Sequence, residues 1–145
     1  MPFLRRRRSF PLRVGDIMST PPITARRDDS IEEMAKIMYD NLIGSVNIVD
    51  EEGKLEGIVT ERDIIYAVAK DKVGKGLPVY MIMTENPITT TPDTPVMEAV
   101  ITMRESNIRH LPVIDREGRP VGMLSLRDVL DAVTTLMEIM VTGRK

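Results

Sequence analysis

The chain has 145 residues, 42% of them hydrophobic, with a net charge of -2, one histidine, and neither cysteine nor tryptophan. Disulfides, thiolate catalysis and cysteine-ligated metals are excluded, a protein zinc site is disfavoured, and the whole-chain charge does not point to nucleic acid. The core must be aliphatic, with 11 methionines as adaptable filler, and the length suits one compact domain or two small packed halves. No apolar run approaches the ~18 residues of a membrane-spanning helix. The early arginines lack the apolar stretch of a secretory signal, so a cytoplasmic location is expected.

Residues 1–13 read as a basic arm. Arg5, Arg6, Arg7, Arg8 and Arg13 occur there with no acid among them. A solvated tail, a contact with nucleic acid or an acidic membrane surface, and a contact with a dimer partner or ligand phosphate all fit this composition. Val14 to Met18 suggests a single helical turn. Pro21-Pro22 cannot continue it, and Ile23-Thr24-Ala25 reads as a short strand.

Ser30 and Glu33 form a capping-box pattern ahead of Ile31, Met34, Ala35 and Met38 at helical spacing, which predicts a helix over 31–41. Val46, Ile48 and Val49 make a strand. Asp50-Glu51-Glu52-Gly53 is a turn, and 55–59 is the returning strand. Thr60 or Glu61 then opens a helix carrying Ile64, Ile65 and Val68, which fades into a linker at Gly74-Lys75-Gly76.

The second half repeats the first in the same order. Gly57, Thr60, Arg62 and Asp63 return as Gly122, Ser125, Arg127 and Asp128, the opening Met18 to Thr24 returns as Met83 to Thr89, and the turn at Gly53 returns at Gly118. The last helix, about 125–141, is longer and carries Val129, Leu130, Val133, Leu136, Met137 and Met140 on one side. Self-similarity at a fixed offset indicates two copies of one unit, β-α-β-β-α, neither long enough to cover both faces of its own sheet. The expected fold class is α/β (α+β), with the two copies packed about a pseudo-twofold axis.

The duplicated Met-Ser/Thr-x-x-Pro-Ile-Thr opening, the strand Arg109-His110-Leu111-Pro112-Val113-Ile114-Asp115 and the Gly-x-x-Thr/Ser-x-x-Asp motif together resemble a tandem pair of CBS domains, a Bateman module. The resemblance covers roughly residues 14–140, with 14–73 as the first domain and 79–141 as the second. It implies binding of an adenosine-containing ligand (AMP, ADP, ATP or S-adenosylmethionine) in clefts between the repeats. It also implies a homodimer that regulates an unidentified partner protein, with no enzymatic activity of its own.

The residues can support that chemistry. A carboxylate accepts hydrogen bonds from both hydroxyls of a ribose, and a helix N-terminus with a hydroxyl residue favours phosphate. Thr60 with Asp63 and Ser125 with Asp128 offer this arrangement twice, although the same spacing also serves as a plain helix cap. By resemblance, the Ser125–Asp128 cleft is completed by Ile23 and Ile43 with Met123 beside the base. The Thr60–Asp63 cleft is completed by Ile88 and Ile108 with Ile58 beside the base. Each of these aliphatics is equally consistent with ordinary core. Arg109 can chelate a phosphate and His110 can donate to one, while a surface arginine and a satisfied strand-end histidine fit them as well. Arg127 and Arg62 reach phosphate or face solvent. Asn47 stands where the second repeat has Pro112, so the two sites are expected to differ. The alternative reading is a nucleic-acid-associated regulator that uses Arg5, Arg6, Arg7 and Arg8, with the repeat pair as its dimeric scaffold.

Overall fold

The computed structural model describes residues 12–143. The arginines of the arm at 5–8 lie outside the described residues. The first half contains α1 (Val14–Ile17), β1 (Thr24–Arg26), α2 (Ile31–Asn41), β2 (Ser45–Val49), β3 (Leu55–Thr60) and α3 (Glu61–Ala69). A 3-10 turn at Val79–Met81 and the short β4 (Thr84–Glu85) open the second half, followed by α4 (Val96–Glu105), β5 (His110–Ile114), β6 (Pro120–Ser125) and α5 (Leu126–Thr142).

The opening segment of each half serves the other half. β4 pairs antiparallel with β3, Ile58 opposite Thr84, which completes the sheet β1-β2-β3-β4. In mirror fashion Ser19 bridges Met123 on β6, with hydrogen bonds of 2.9 and 3.0 Å in both directions. The apolar residues follow the same exchange. Val79, Ile82 and Met83 join Ile31, Met34, Val46, Ile48 and Val59 in the first core cluster. Val14 joins Ala99, Met103, Leu111, Val113 and Leu124 in the second. Full burial of a valine or leucine contributes ~1.5–3 kcal/mol, so these exchanged turns tie the halves together.

The glycines of the duplicated motif permit the exchange. A Cβ at Gly57 would stand 2.9 Å from the carbonyl oxygen of Thr84, and one at Gly122 would stand 2.9 Å from that of Ser19. No side chain fits where a foreign backbone approaches this closely.

The helix over 31–41 is found as expected. Its cap is half of the predicted box: the Glu33 N–H donates to the Ser30 hydroxyl at 3.1 Å, and among the described residues no reciprocal bond from Glu33 completes it. The expected β-α-β-β-α unit also changes in the second half. The counterpart of β1 shrinks to a bridge between Thr90 and Val113. In the first half the Asn47 N–H donates to the Ile23 carbonyl at 3.2 Å. Pro112 has no N–H to offer Ile88, so that rung of the ladder is missing.

All five residues of β2 are buried. Val46 and Ile48 point into the first core cluster, so Ser45 and Asn47 occupy the opposite face. α5 has no buried residue: Leu130, Met137 and Met140 are exposed on the chain taken alone. Among the described residues no helix is long and apolar enough to cross a membrane.

Candidate functional site

Two clefts open where the motif helices begin. At the start of α5, the backbone N–H and hydroxyl of Ser125 donate to Asp128 Oδ2 at 2.8 and 3.0 Å, and the Asp128 N–H donates to the Ser125 hydroxyl at 3.1 Å. At the start of α3, the N–H and hydroxyl of Thr60 donate to Asp63 Oδ2 at 2.9 and 3.2 Å. Both motifs are therefore helix caps. Each cap occupies one carboxylate oxygen and leaves the second. In Asp128 that second oxygen, Oδ1, accepts the Ser19 hydroxyl at 2.9 Å. In Asp63 the corresponding oxygen accepts nothing from the described residues.

The larger cleft has a volume of about 1380 Å³. It brings together Ile23 and Ile43 from the first repeat with Met123, Ser125, Arg127 and Asp128 from the second. The smaller cleft, about 560 Å³, brings together Ile58, Thr60 and Asp63 with Ile88 and Ile108. Arg109 and His110 border both clefts. Both volumes are ample for a small organic ligand. All thirteen residues singled out from the sequence thus lie on one cleft or the other. Arg127 and Arg109 are exposed, and Ile58 is buried beneath its cleft.

Other residues join the clefts without having been expected. Glu61 borders both, beside His110. A Cβ at Gly44 would collide with the Glu61 carboxylate and stand 2.9 Å from His110 Nε2, so glycine there leaves room for these two side chains to meet between the clefts. Asn47 borders the larger cleft and is only 1% exposed. Neither Oδ1 nor Nδ2 of its amide has a hydrogen-bond partner. An unsatisfied buried polar group costs ~1–3 kcal/mol. The replacement of the repeat's proline by asparagine was visible in the sequence, but its burial was not.

Burial also shifts the titration of two cleft residues. Desolvation pushes the Asp63 carboxyl above its ordinary 3.8, against the hydrogen bonds from the Thr60 N–H and hydroxyl and the charge of Arg62. Desolvation holds the His110 imidazole below its ordinary 6.5, helped by Arg109 and opposed by Glu61 and Asp128. A neutral imidazole keeps one ring nitrogen as an acceptor. Among the described residues no group of three or more His, Asp or Glu side chains is placed to hold a metal ion.

The CBS domain sequence pattern matches residues 14–70 and 79–135. The L-aspartate semialdehyde sulfurtransferase of Methanocaldococcus jannaschii is 44% identical over 116 residues, which is 80% of this chain. The chain spans 22% of that relative's length. A CBS domain-containing protein of Dictyostelium discoideum is 33% identical over 135 residues, 86% of this chain and 93% of that protein. Among solved structures, the CBS domain pair of protein MJ0100 in complex with 5′-methylthioadenosine and S-adenosyl-L-methionine matches with a TM-score of 0.80 and 41% identity, covering 85% of this chain and 96% of that one. The CBS domain protein PAE2072 from Pyrobaculum aerophilum, complexed with AMP, matches with a TM-score of 0.79 and 30% identity, covering 90% and 99%. Two tandem matches that span most of the chain place it in the CBS domain family.

Proposed function

We propose that this chain is a non-enzymatic regulatory module that binds an adenosine-containing ligand between its two CBS domains and modulates a partner protein. The observation that carries this reading is the larger cleft. There the Ser125–Asp128 pair at a helix N-terminus faces the aliphatic residues Ile23, Ile43 and Met123 drawn from both repeats. The aliphatic walls suit the flat base. The carboxylate suits the ribose hydroxyls, since a ribose hydroxyl can replace that of Ser19 on Oδ1. The helix terminus, Arg109, Arg127 and His110 suit a phosphate or another polar 5′ group. Relatives with solved structures carry AMP, 5′-methylthioadenosine and S-adenosylmethionine, which supports the same ligand class here. Because walls and polar groups come from different repeats, occupancy would bias how the repeats sit against each other and so reach a partner.

Calorimetric titration of AMP, ATP, S-adenosylmethionine and 5′-methylthioadenosine tests the proposal. At least one is expected to bind, and Asp128→Ala is expected to weaken it tenfold or more, with Asp63→Ala reporting on the smaller cleft. Absence of binding by all four would return both motifs to their role as helix caps. We also place the second copy of a homodimer on the exposed apolar residues Leu130, Met137 and Met140 of α5. Light scattering that finds only a monomer would remove that part of the proposal.

A further inference from the structure

From the orphaned amide of Asn47, and resting on the adenosine reading above, we infer that Asn47 is the base-reading residue of the larger cleft. Its Oδ1 accepts from the 6-amino group of adenine, and its Nδ2 donates to the adjacent ring nitrogen. Asn47 sits in β2, on the face opposite the core residues Val46 and Ile48, and borders the cleft beside Ile23. Its side chain is almost wholly buried, and both polar atoms lack partners. Within the ligand-free fold this is a net cost, since buried amides are otherwise satisfied. A side-chain amide presents one acceptor and one donor side by side. Adenine presents the matching pair on a single edge, and asparagine engages it with two hydrogen bonds at once. The aliphatic walls can hold any flat heterocycle, so they carry little discrimination. The amide supplies it, because a site built to hydrogen-bond a ligand group rejects analogues that leave its own polar atoms unpaired.

The smaller cleft lacks this device. Its equivalent position is Pro112, which offers no side-chain donor or acceptor. The two clefts should therefore differ in base selectivity.

The test uses the full chain and two probes, AMP and 5′-methylthioadenosine, each beside its analogue lacking the 6-amino group. Affinities are measured for the wild type, for Asn47→Leu, and for Asn47→Val, which suits a strand if leucine does not. The wild type is expected to prefer the amino-bearing ligand at least tenfold. Either variant is expected to lose that preference, binding the amino-bearing ligand at least tenfold more weakly and the analogue within about threefold of the wild type. The ligand-free variants are expected to melt at a higher temperature than the wild type, because an apolar side chain of similar size removes the unpaired amide. A merely structural asparagine would move melting in the opposite direction. Wild-type binding that both variants retain, an equal loss for both ligands, or a lower melting temperature in both variants would each overturn the inference and leave the adenosine reading standing. If neither probe binds the wild type, this inference falls, and the adenosine reading falls with it only if ATP and S-adenosylmethionine also fail to bind.

Discussion

Gly44, Ser45 and Asn47 line the larger cleft, and of their equivalents in the second repeat Arg109 and His110 line the smaller while Pro112 is fully buried. The backbone frame is shared. Both clefts have a capped helix N-terminus, a glycine that admits a crossing segment, and that segment itself. What differs is what fills the frame. Small residues at 44 and 45 leave the larger cleft open, and both basic side chains of the second repeat reach into it. Pro112 also costs its sheet a rung, so the counterpart of β1 is a single bridge at Thr90. A duplicated scaffold can thus keep its architecture through a few close backbone approaches while its two sites drift to different chemistry.

The frame should be the most fragile part, and equally so in both halves. Gly57→Ala and Gly122→Ala each force a methyl group against a carbonyl oxygen and a methionine sulfur of the crossing segment. Each is expected to destabilise the protein by ~1–3 kcal/mol in denaturant unfolding. A cost at only one position would mean that the crossing segment is held firmly in one half and is dispensable in the other.

The caps should separate the halves. The Asp128 N–H donates to the Ser125 hydroxyl at 3.1 Å, whereas at Thr60 the side-chain hydrogen bond is the one the hydroxyl donates to Asp63 Oδ2 at 3.2 Å, and the reciprocal contact with the Asp63 N–H is the weaker of the two. Ser125→Ala is expected to cost ~1 kcal/mol, and Thr60→Ala less than ~0.5 kcal/mol. Equal costs would show that the two caps are equivalent in solution.

Acid should affect the halves with opposite sign. The folded pKa of His110 lies below its ordinary 6.5, so its contribution is present above 6.5 and is lost as the pH falls through the folded value. Protonation there must be accommodated beside Arg109, with Glu61 and Asp128 partly offsetting it. The folded pKa of Asp63 lies above its ordinary 3.8, so its contribution is present below 3.8 and is lost as the pH rises through the folded value. Melting curves from pH 7 downward should therefore flatten near 6.5 in His110→Gln. Asp63→Asn should lose the stability that the wild type regains nearer 4. Unchanged profiles in both variants would mean that neither group is desolvated as the geometry requires.

The elements were legible wherever local pattern determined them. Ile31, Met34 and Met38 gave away α2 through their spacing, and the hydroxyl-x-x-Asp motifs marked both later helix starts. The exchange of opening segments was not legible, because Val14 and Val79 are single apolar residues in short turns and carry no mark of which core they join. Asn47 was legible only as an exception to the repeat. In Val46-Asn47-Ile48 a polar residue between two apolar ones reads as solvent-facing, and nothing in that local pattern marks it as 1% exposed. α5 misled in the other direction. Its apolar side promises a core contact, and the chain alone leaves Leu130, Met137 and Met140 exposed.

The smallest expected effect concerns Ser19, whose hydroxyl donates to Oδ1 of Asp128, while no described residue does the same for Asp63. On the proposed reading, a ribose in the larger cleft would displace that hydroxyl or share the oxygen with it. Ser19→Ala leaves the backbone bridge to Met123 in place and frees the oxygen. One exchanged hydrogen bond is worth ~0.5–1.5 kcal/mol, so affinity for AMP or 5′-methylthioadenosine should rise by about twofold to tenfold. The equivalent change at Thr84, which borders the smaller cleft without holding Asp63, should leave affinity unchanged. A fall in affinity in Ser19→Ala would instead place that hydroxyl among the groups that hold the ligand. The crossing segment would then contribute to binding as well as to the sheet.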